Sequence, residues 1–245
     1  MSSARIGLIV PPAAGQVPAE AAPLFRGRYD FIARGLGLAA ISPGGFARVV
    51  DHIVDCARQL RDDGAQAISL MGTSLSFYRG PAFTEALRRE MEQATGVPCT
   101  TMSHAIVAAL RRLGIRRVAV ATSYIDELNQ RLVEYLQASG FRVTAIEGLS
   151  ITGVEAVGEV STQALVALSR RVWARDRTAQ GVFISCGGLL TLDAIRELEA
   201  SLDLPVTASS PAGFWDVVRL AGLNAAAAGC GRLFDPRRQA PSPRA

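Results

Sequence analysis

The chain contains no lysine; all 26 of its Lys/Arg positions are arginine. Arginine is effectively never deprotonated in a protein, so it cannot stand in for lysine's amine chemistry. That excludes a lysine Schiff base, hence ordinary pyridoxal phosphate catalysis, and it excludes the lysine of a phosphate-binding P-loop. Histidine is scarce too: His52 and His104 both fall in helix-like stretches. The four cysteines, Cys56, Cys99, Cys186 and Cys230, form no CxxC pair, and no residue cluster has metal-ligand spacing. Free thiols and no bound metal are expected. No apolar run reaches the length of a membrane span, and the run after Met1 is too short for a signal peptide. A cytoplasmic protein without a membrane partner is the expectation. The formal charge of +4 comes from scattered arginines, with no aromatic-studded basic stripe, which argues against a nucleic-acid partner.

Apolar residues are plentiful, at 49% of 245 positions, enough for a full core. Strand-like runs alternate with amphipathic helical runs, the pattern of an α/β protein with parallel sheets covered by helices. Strands are predicted at 6–10, 67–71, 97–100, 117–121, 142–146, 181–185 and 205–207. Helices are predicted at 43–62, 81–95, 103–113, 126–139, 162–175, 192–201 and 211–221. Ser42-Pro43 and Ser210-Pro211 read as N-cap and first-turn pairs. The tail 236–245 reads as disordered.

The two halves repeat. The run from Val97 to Leu113 lies over the run from Leu204 to Leu220, with prolines, small hydroxyl residues and alanines in matching places. Upstream, the strand from Ala67 lies over the strand from Gly181, which sets Gly72 against Cys186. The first strand of each half also corresponds, ending at Pro11-Pro12 and at Thr122-Ser123-Tyr124. Two similar parallel-sheet α/β lobes related by pseudo-two-fold symmetry are therefore expected, with the active site in the cleft between them. The first lobe spans 1–115, onto which 205–235 could pack back, and the second spans 116–235.

Ligands of parallel sheets bind at the carboxyl ends of strands. Cys186 ends an apolar strand and is followed by Gly187-Gly188, so backbone amides can approach a ligand there and favour the thiolate. Two further strand-end loops carry hydroxyls at Thr73, Ser74, Ser76 and Tyr124. With the N–H groups around Gly187 they can bind a carboxylate without a formal positive charge, or hold an enediolate. Each hydroxyl taken singly also fits a helix cap. Leu38 and Ile41 lie in a glycine-rich loop that could wall a pocket; Phe46, Val154 and Val157 fit a pocket or plain core. Gly35-Leu-Gly-Leu-Ala-Ala40 has the glycine spacing of a dinucleotide site, but it follows only a short Phe-Ile-Ala run and its helix starts only after Ser42. Gly72-Thr-Ser-Leu-Ser76 misses the spacing of a hydrolase elbow.

Five segments resemble the arylmalonate decarboxylase family of the aspartate/glutamate racemase superfamily. They are Ile9-Val-Pro-Pro-Ala-Ala-Gly15, Leu70-Met-Gly-Thr-Ser-Leu-Ser-Phe-Tyr-Arg-Gly80, Ile151-Thr-Gly-Val-Glu-Ala156, Ser185-Cys-Gly-Gly-Leu-Leu-Thr-Leu-Asp-Ala194 and Ser209-Ser-Pro-Ala-Gly-Phe-Trp-Asp216. The resemblance implies a carboxy-lyase that needs no cofactor. In it, Thr73, Ser74, Tyr124 and the Cys186 and Gly187 amides would bind the retained carboxylate of a small-molecule malonate. Pro12, Leu38, Ile41, Phe46, Val154 and Val157 would form an apolar pocket for the departing one. Cys186 would protonate one face of the enediolate, giving the R product. A monomer is expected, with a homo-oligomer left open. Racemases and cis–trans isomerases of the superfamily carry a second thiol where this chain has Gly72, which speaks against those activities. A non-catalytic small-acid binding protein is the reading from a different class.

Overall fold

The computed structural model describes residues 4–238. It contains two four-stranded parallel sheets. The first is built from β1 (Arg5–Val10), β2 (Asp30–Gly35), β3 (Ile68–Leu70) and β4 (Cys99–Thr101), in the order β2-β1-β3-β4. The second uses β5 (Arg117–Thr122), β6 (Arg142–Gly148), β7 (Gly181–Ser185) and β8 (Val206–Ala208), in the order β6-β5-β7-β8. The inner strands carry runs that are apolar in succession and buried, as with Val118 to Ala121 and Val182 to Ile184. Helices cover both faces of such strands, so alternation with polar residues is absent.

The registers of the two sheets match. Ile68 lies opposite Cys99 in the first, and Val182 opposite Val206 in the second. Counting on from Ile68 and Val182 makes Gly72 the counterpart of Cys186, as the sequence repeat predicts. Gly7 faces Ile68 while Ala119 faces Val182, so Pro12 is the counterpart of Tyr124.

The helices are α1 (Ala21–Phe25), α2 (Pro43–Val49), α3 (Ile53–Asp62), α4 (Thr73–Phe77), α5 (Gly80–Thr95), α6 (Met102–Arg112), α7 (Asp126–Ala138), α8 (Val154–Val157), α9 (Thr162–Arg175), α10 (Leu192–Leu202) and α11 (Ser209–Leu220). Two corrections to the sequence-based boundaries have physical causes. The helix expected over 43–62 is divided by a 3-10 turn at Val50–His52, where two β-branched residues, Val49 and Val50, stand in succession. Ser42 caps α2 as expected, its Oγ accepting from the Gly45 N–H at 3.2 Å. Ser210 is not a cap: α11 follows β8 without a linker, which puts Ala208 in the cap position and Pro211 in the first turn. Strand β2 and helices α1, α4 and α8 were not anticipated.

The halves join through α6 and α11, which pack together, and α11 also lies against β3 and β4 of the first half. Thr100 Oγ1 donates to Asp216 Oδ2 across this joint at 2.7 Å. Gly213 keeps it tight, because a Cβ there would lie 2.8 Å from the sulfurs of both Met71 and Met102. Pro236–Arg238 form a 3-10 turn. The remainder of the tail expected to be disordered, 239–245, lies outside the described residues.

Candidate active site

The carboxyl ends of the two sheets meet at a cavity of about 390 Å³. Val10 at the end of β1, and Pro11, Met71, Gly72, Tyr124 and Cys186 in the segments just after β1, β3, β5 and β7, all reach it. Thr73, Ser74, Gly187, Pro12, Leu38, Ile41, Val154 and Val157 line it as well. Among the described residues no arginine lines its wall.

Cys186 is the first residue beyond β7, with a backbone φ of +154° that L residues rarely adopt. Such a conformation costs about 1–3 kcal/mol and persists only where surroundings impose it. Here the Cys186 N–H donates to Ser209 Oγ at 3.2 Å, and its C=O accepts from the Leu189 N–H at 3.4 Å. The first of these bonds corrects one expectation, since the Cys186 amide already has a partner and the Gly187 amide remains for a ligand. A second correction concerns the thiol. Burial pushes its pKa up, and the Ser123 hydroxyl, the Gly188 N–H and Tyr124 offset that only in part. Desolvation therefore wins over the amides, and the group is a protonated thiol rather than a thiolate.

Tyr124 is wholly buried, its ring edge-on to Phe77 at 5.9 Å. Burial, then the neighbouring Cys186, holds its phenol well above the ordinary range, so it stays a hydrogen-bond donor. Ser185 Oγ donates to the Tyr124 oxygen at 3.4 Å. Near the thiol and the cavity, Thr73 Oγ1 beside the Tyr124 phenol, Ser123 Oγ beside the thiol and Ser210 Oγ are buried without a well-formed hydrogen bond. Buried polar groups are normally paired, so such donors mark where a polar ligand fits. Ser76 does not join them; its Oγ donates to the Thr73 carbonyl at 2.8 Å and sits 2.6 Å from Ser103 Oγ, inside the core.

Glycine at 187 is a packing requirement. A Cβ there would stand 2.9 Å from the Met71 carbonyl oxygen and 3.7 Å from Thr73 Oγ1. The strand-end loops of β3 and β7 thus approach closer than any side chain permits.

The apolar wall comes from both halves. An antiparallel bridge joins Ala40 to Gly153, and the Ile41 N–H donates to the Thr152 carbonyl at 3.2 Å. That bridge brings Leu38 and Ile41 beside Val154 and Val157. Phe46 is a correction: it does not reach the cavity, and its ring packs against Tyr78 with centroids 4.9 Å apart. His104 lies outside the cavity on α6, its Nε2 3.2 Å from Glu85 Oε2.

Glu20 is a lining residue that the sequence reading missed. It is 4% exposed, and burial raises its pKa against the hydrogen bonds that lower it. One signal was available, because Glu20 is the sole charged residue between Ile6 and Phe25.

The fold and site define a two-lobed α/β protein that holds a small molecule against one neutral thiol, several hydroxyls and an apolar wall. A model of the family described as arylmalonate decarboxylase matches residues 6–234. The arylmalonate decarboxylase of Bordetella bronchiseptica is 54% identical over 235 residues, covering 96% of this chain and 98% of its own. The solved structure of a liganded arylmalonate decarboxylase carrying glycine-to-cysteine and cysteine-to-serine substitutions matches with a TM-score of 0.93 at 53% identity, over 95% of this chain and 99% of that one. The maleate isomerase Iso of Pseudomonas putida S16 shares the fold, with a TM-score of 0.87 at 23% identity over 95% of this chain and 98% of its own. This chain belongs to the arylmalonate decarboxylase family.

Proposed function

We propose that the protein is a cofactor-independent carboxy-lyase that decarboxylates α-aryl or α-alkenyl malonates and protonates the product on one face. One carboxylate binds to the Thr73, Ser74 and Tyr124 hydroxyls and the Gly187 amide. The other is placed against Pro12, Leu38, Ile41, Val154 and Val157, where it has lost its hydration; release of neutral carbon dioxide relieves that penalty. The bond between the α-carbon and this carboxylate breaks, and its electron pair moves into the retained carboxylate. The resulting enediolate carries charge where hydroxyl and amide donors stand ready. Cys186 gives its S–H proton to the α-carbon, and solvent reprotonates the thiolate. The aryl group delocalises charge in the transition state.

The observation that supports this reading best is a neutral buried thiol beside donors that lack well-formed partners, in a cavity whose wall has no arginine. A thiol must be protonated to donate, and an enediolate needs donors rather than a fixed cation. The enzyme acts as a monomer on its small-molecule substrate, in a reducing cytoplasm where Cys186 remains a free thiol. Incubation with phenylmalonate should release carbon dioxide, and methylphenylmalonate should yield the R enantiomer of 2-phenylpropionate. A racemic product would remove Cys186 as a one-face donor, and binding of both malonates without gas release would leave a binding protein.

A further inference from the structure

Glu20 takes no part in these steps, yet it is the buried carboxylate in the cavity wall. It ends a strap, residues 11–20, that runs from β1 along the cavity to α1. Its Oε1 accepts three hydrogen bonds from the start of α10: from the Thr191 N–H at 2.6 Å, the Thr191 hydroxyl at 2.9 Å and the Leu192 N–H at 3.1 Å. Helix α10 has no cap of its own, since the side chain of Thr191 in the cap position bonds none of its amides. The first N–H groups of a helix lack intrahelical partners, and a carboxylate satisfies them well. A residue of the first half therefore caps a helix of the second. Glu20 Oε2 and the Ser210 hydroxyl close by are buried without well-formed bonds.

The segment immediately before α10 is Cys186 to Leu190, which contains the thiol and the Gly187 amide and has no helix or strand of its own. One end is fixed by β7 and the other by the bonds to Glu20. We propose that Glu20 is a positioning residue that, through Thr191 and Leu192, holds this loop and so aims the thiol and the Gly187 amide at the α-carbon. The proposal rests on the decarboxylase reading above.

Three variants test it: Glu20→Ala, Glu20→Gln and Thr191→Val. Each is measured for kcat and KM on phenylmalonate, for binding of unreactive phenylacetate, and for amide hydrogen exchange over 186–192. A misplaced reacting group costs up to about a hundredfold, so Glu20→Ala should lower kcat by about ten- to a hundredfold with little change in phenylacetate affinity. Glu20→Gln keeps an oxygen that can accept the same three bonds and should restore kcat to within about threefold of the parent, with Thr191→Val between the two. Exchange over 186–192 should quicken in Glu20→Ala and not in Glu20→Gln. Parent-like kcat in folded Glu20→Ala, or equal losses in the alanine and glutamine variants, would overturn the proposal. So would a loss confined to melting temperature or to phenylacetate binding. If Glu20→Ala does not fold, Thr191→Val decides: a lower kcat supports the proposal and an unchanged one overturns it. If the parent does not turn over phenylmalonate, the functional reading fails on its own. The exchange rates then still decide whether Glu20 holds the loop.

Discussion

The donor proposed at Cys186 must keep its proton at neutral pH and release it to a carbanion. Burial meets the first demand by raising the thiol pKa. The protonated form is the active one and is lost as pH rises through that raised value. The alkaline limb of the kcat profile should therefore lie above the ordinary thiol value of about 8.5; a limb near neutrality would contradict the assignment. Replacing Cys186 by Ala should suppress decarboxylation by orders of magnitude. Ala at Cys56, Cys99 or Cys230 should leave kcat intact, with a stability cost of about 1 kcal/mol at the buried Cys56 and Cys99. The Tyr124 phenol makes a second case. Tyr124→Phe should cost about 2–4 kcal/mol in kcat/KM while changing phenylacetate binding far less. Equal losses in both measurements would mean that the phenol serves the ground state only. That Thr73, Ser74, Tyr124, Cys186 and Gly187 come together at one cavity was legible in sequence, because each lies just past an apolar strand run. Phe46 was not, because an apolar residue near a loop reads the same whether it faces a cavity or the core behind it. Ser76 failed for a related reason, since sequence cannot tell a hydroxyl aimed at a ligand from one bonded to Ser103.

At the scale of elements, the site depends on how closely the β3 and β7 loops approach. Gly187→Ala places a methyl group against the Met71 carbonyl, which belongs to backbone and cannot swing aside. The loop must shift, and kcat should fall by about tenfold or more, with a loss of a few degrees in melting temperature. Gly188→Ala meets Val157 Cγ1 at 3.1 Å, a side chain that can yield, so its kcat should stay closer to the parent. Assays of the two variants side by side would reverse this view if Gly188→Ala were the worse. The seven strands expected from sequence are present because buried parallel strands announce themselves as apolar runs. Strand β2 escaped notice because it is a half-buried edge strand holding Asp30 and Arg34. Helix α4 escaped because Thr-Ser-Leu-Ser has the composition of a loop, and only its burial against neighbouring helices makes it helical.

At the scale of the whole molecule, the sequence repeat survives as matched strand order and matched register, which is why the sequence alone pairs Gly72 with Cys186. The pairing has a direct test. A Cβ at Gly72 would lie 3.2 Å from Leu75 Cβ and 3.4 Å from Pro11 Cγ, tight but without a backbone clash. A double variant, Gly72→Cys with Cys186→Ser, should therefore fold and carry its thiol on the other wall of the cleft. Any 2-phenylpropionate that it forms from methylphenylmalonate should be the opposite enantiomer on chiral chromatography. Unchanged configuration would place the control of stereochemistry elsewhere. The joint between α6 and α11 explains why the halves read as equals in sequence and yet work as one body, with Thr100 bonded to Asp216 across it. A doubled half-molecule has a consequence for chirality itself. With a thiol on each wall, a planar intermediate held between them could take its proton on either face. In the proposed reaction, the handedness of the product would record one difference between two matching strands, of which one leads to Cys186 and the other to Gly72.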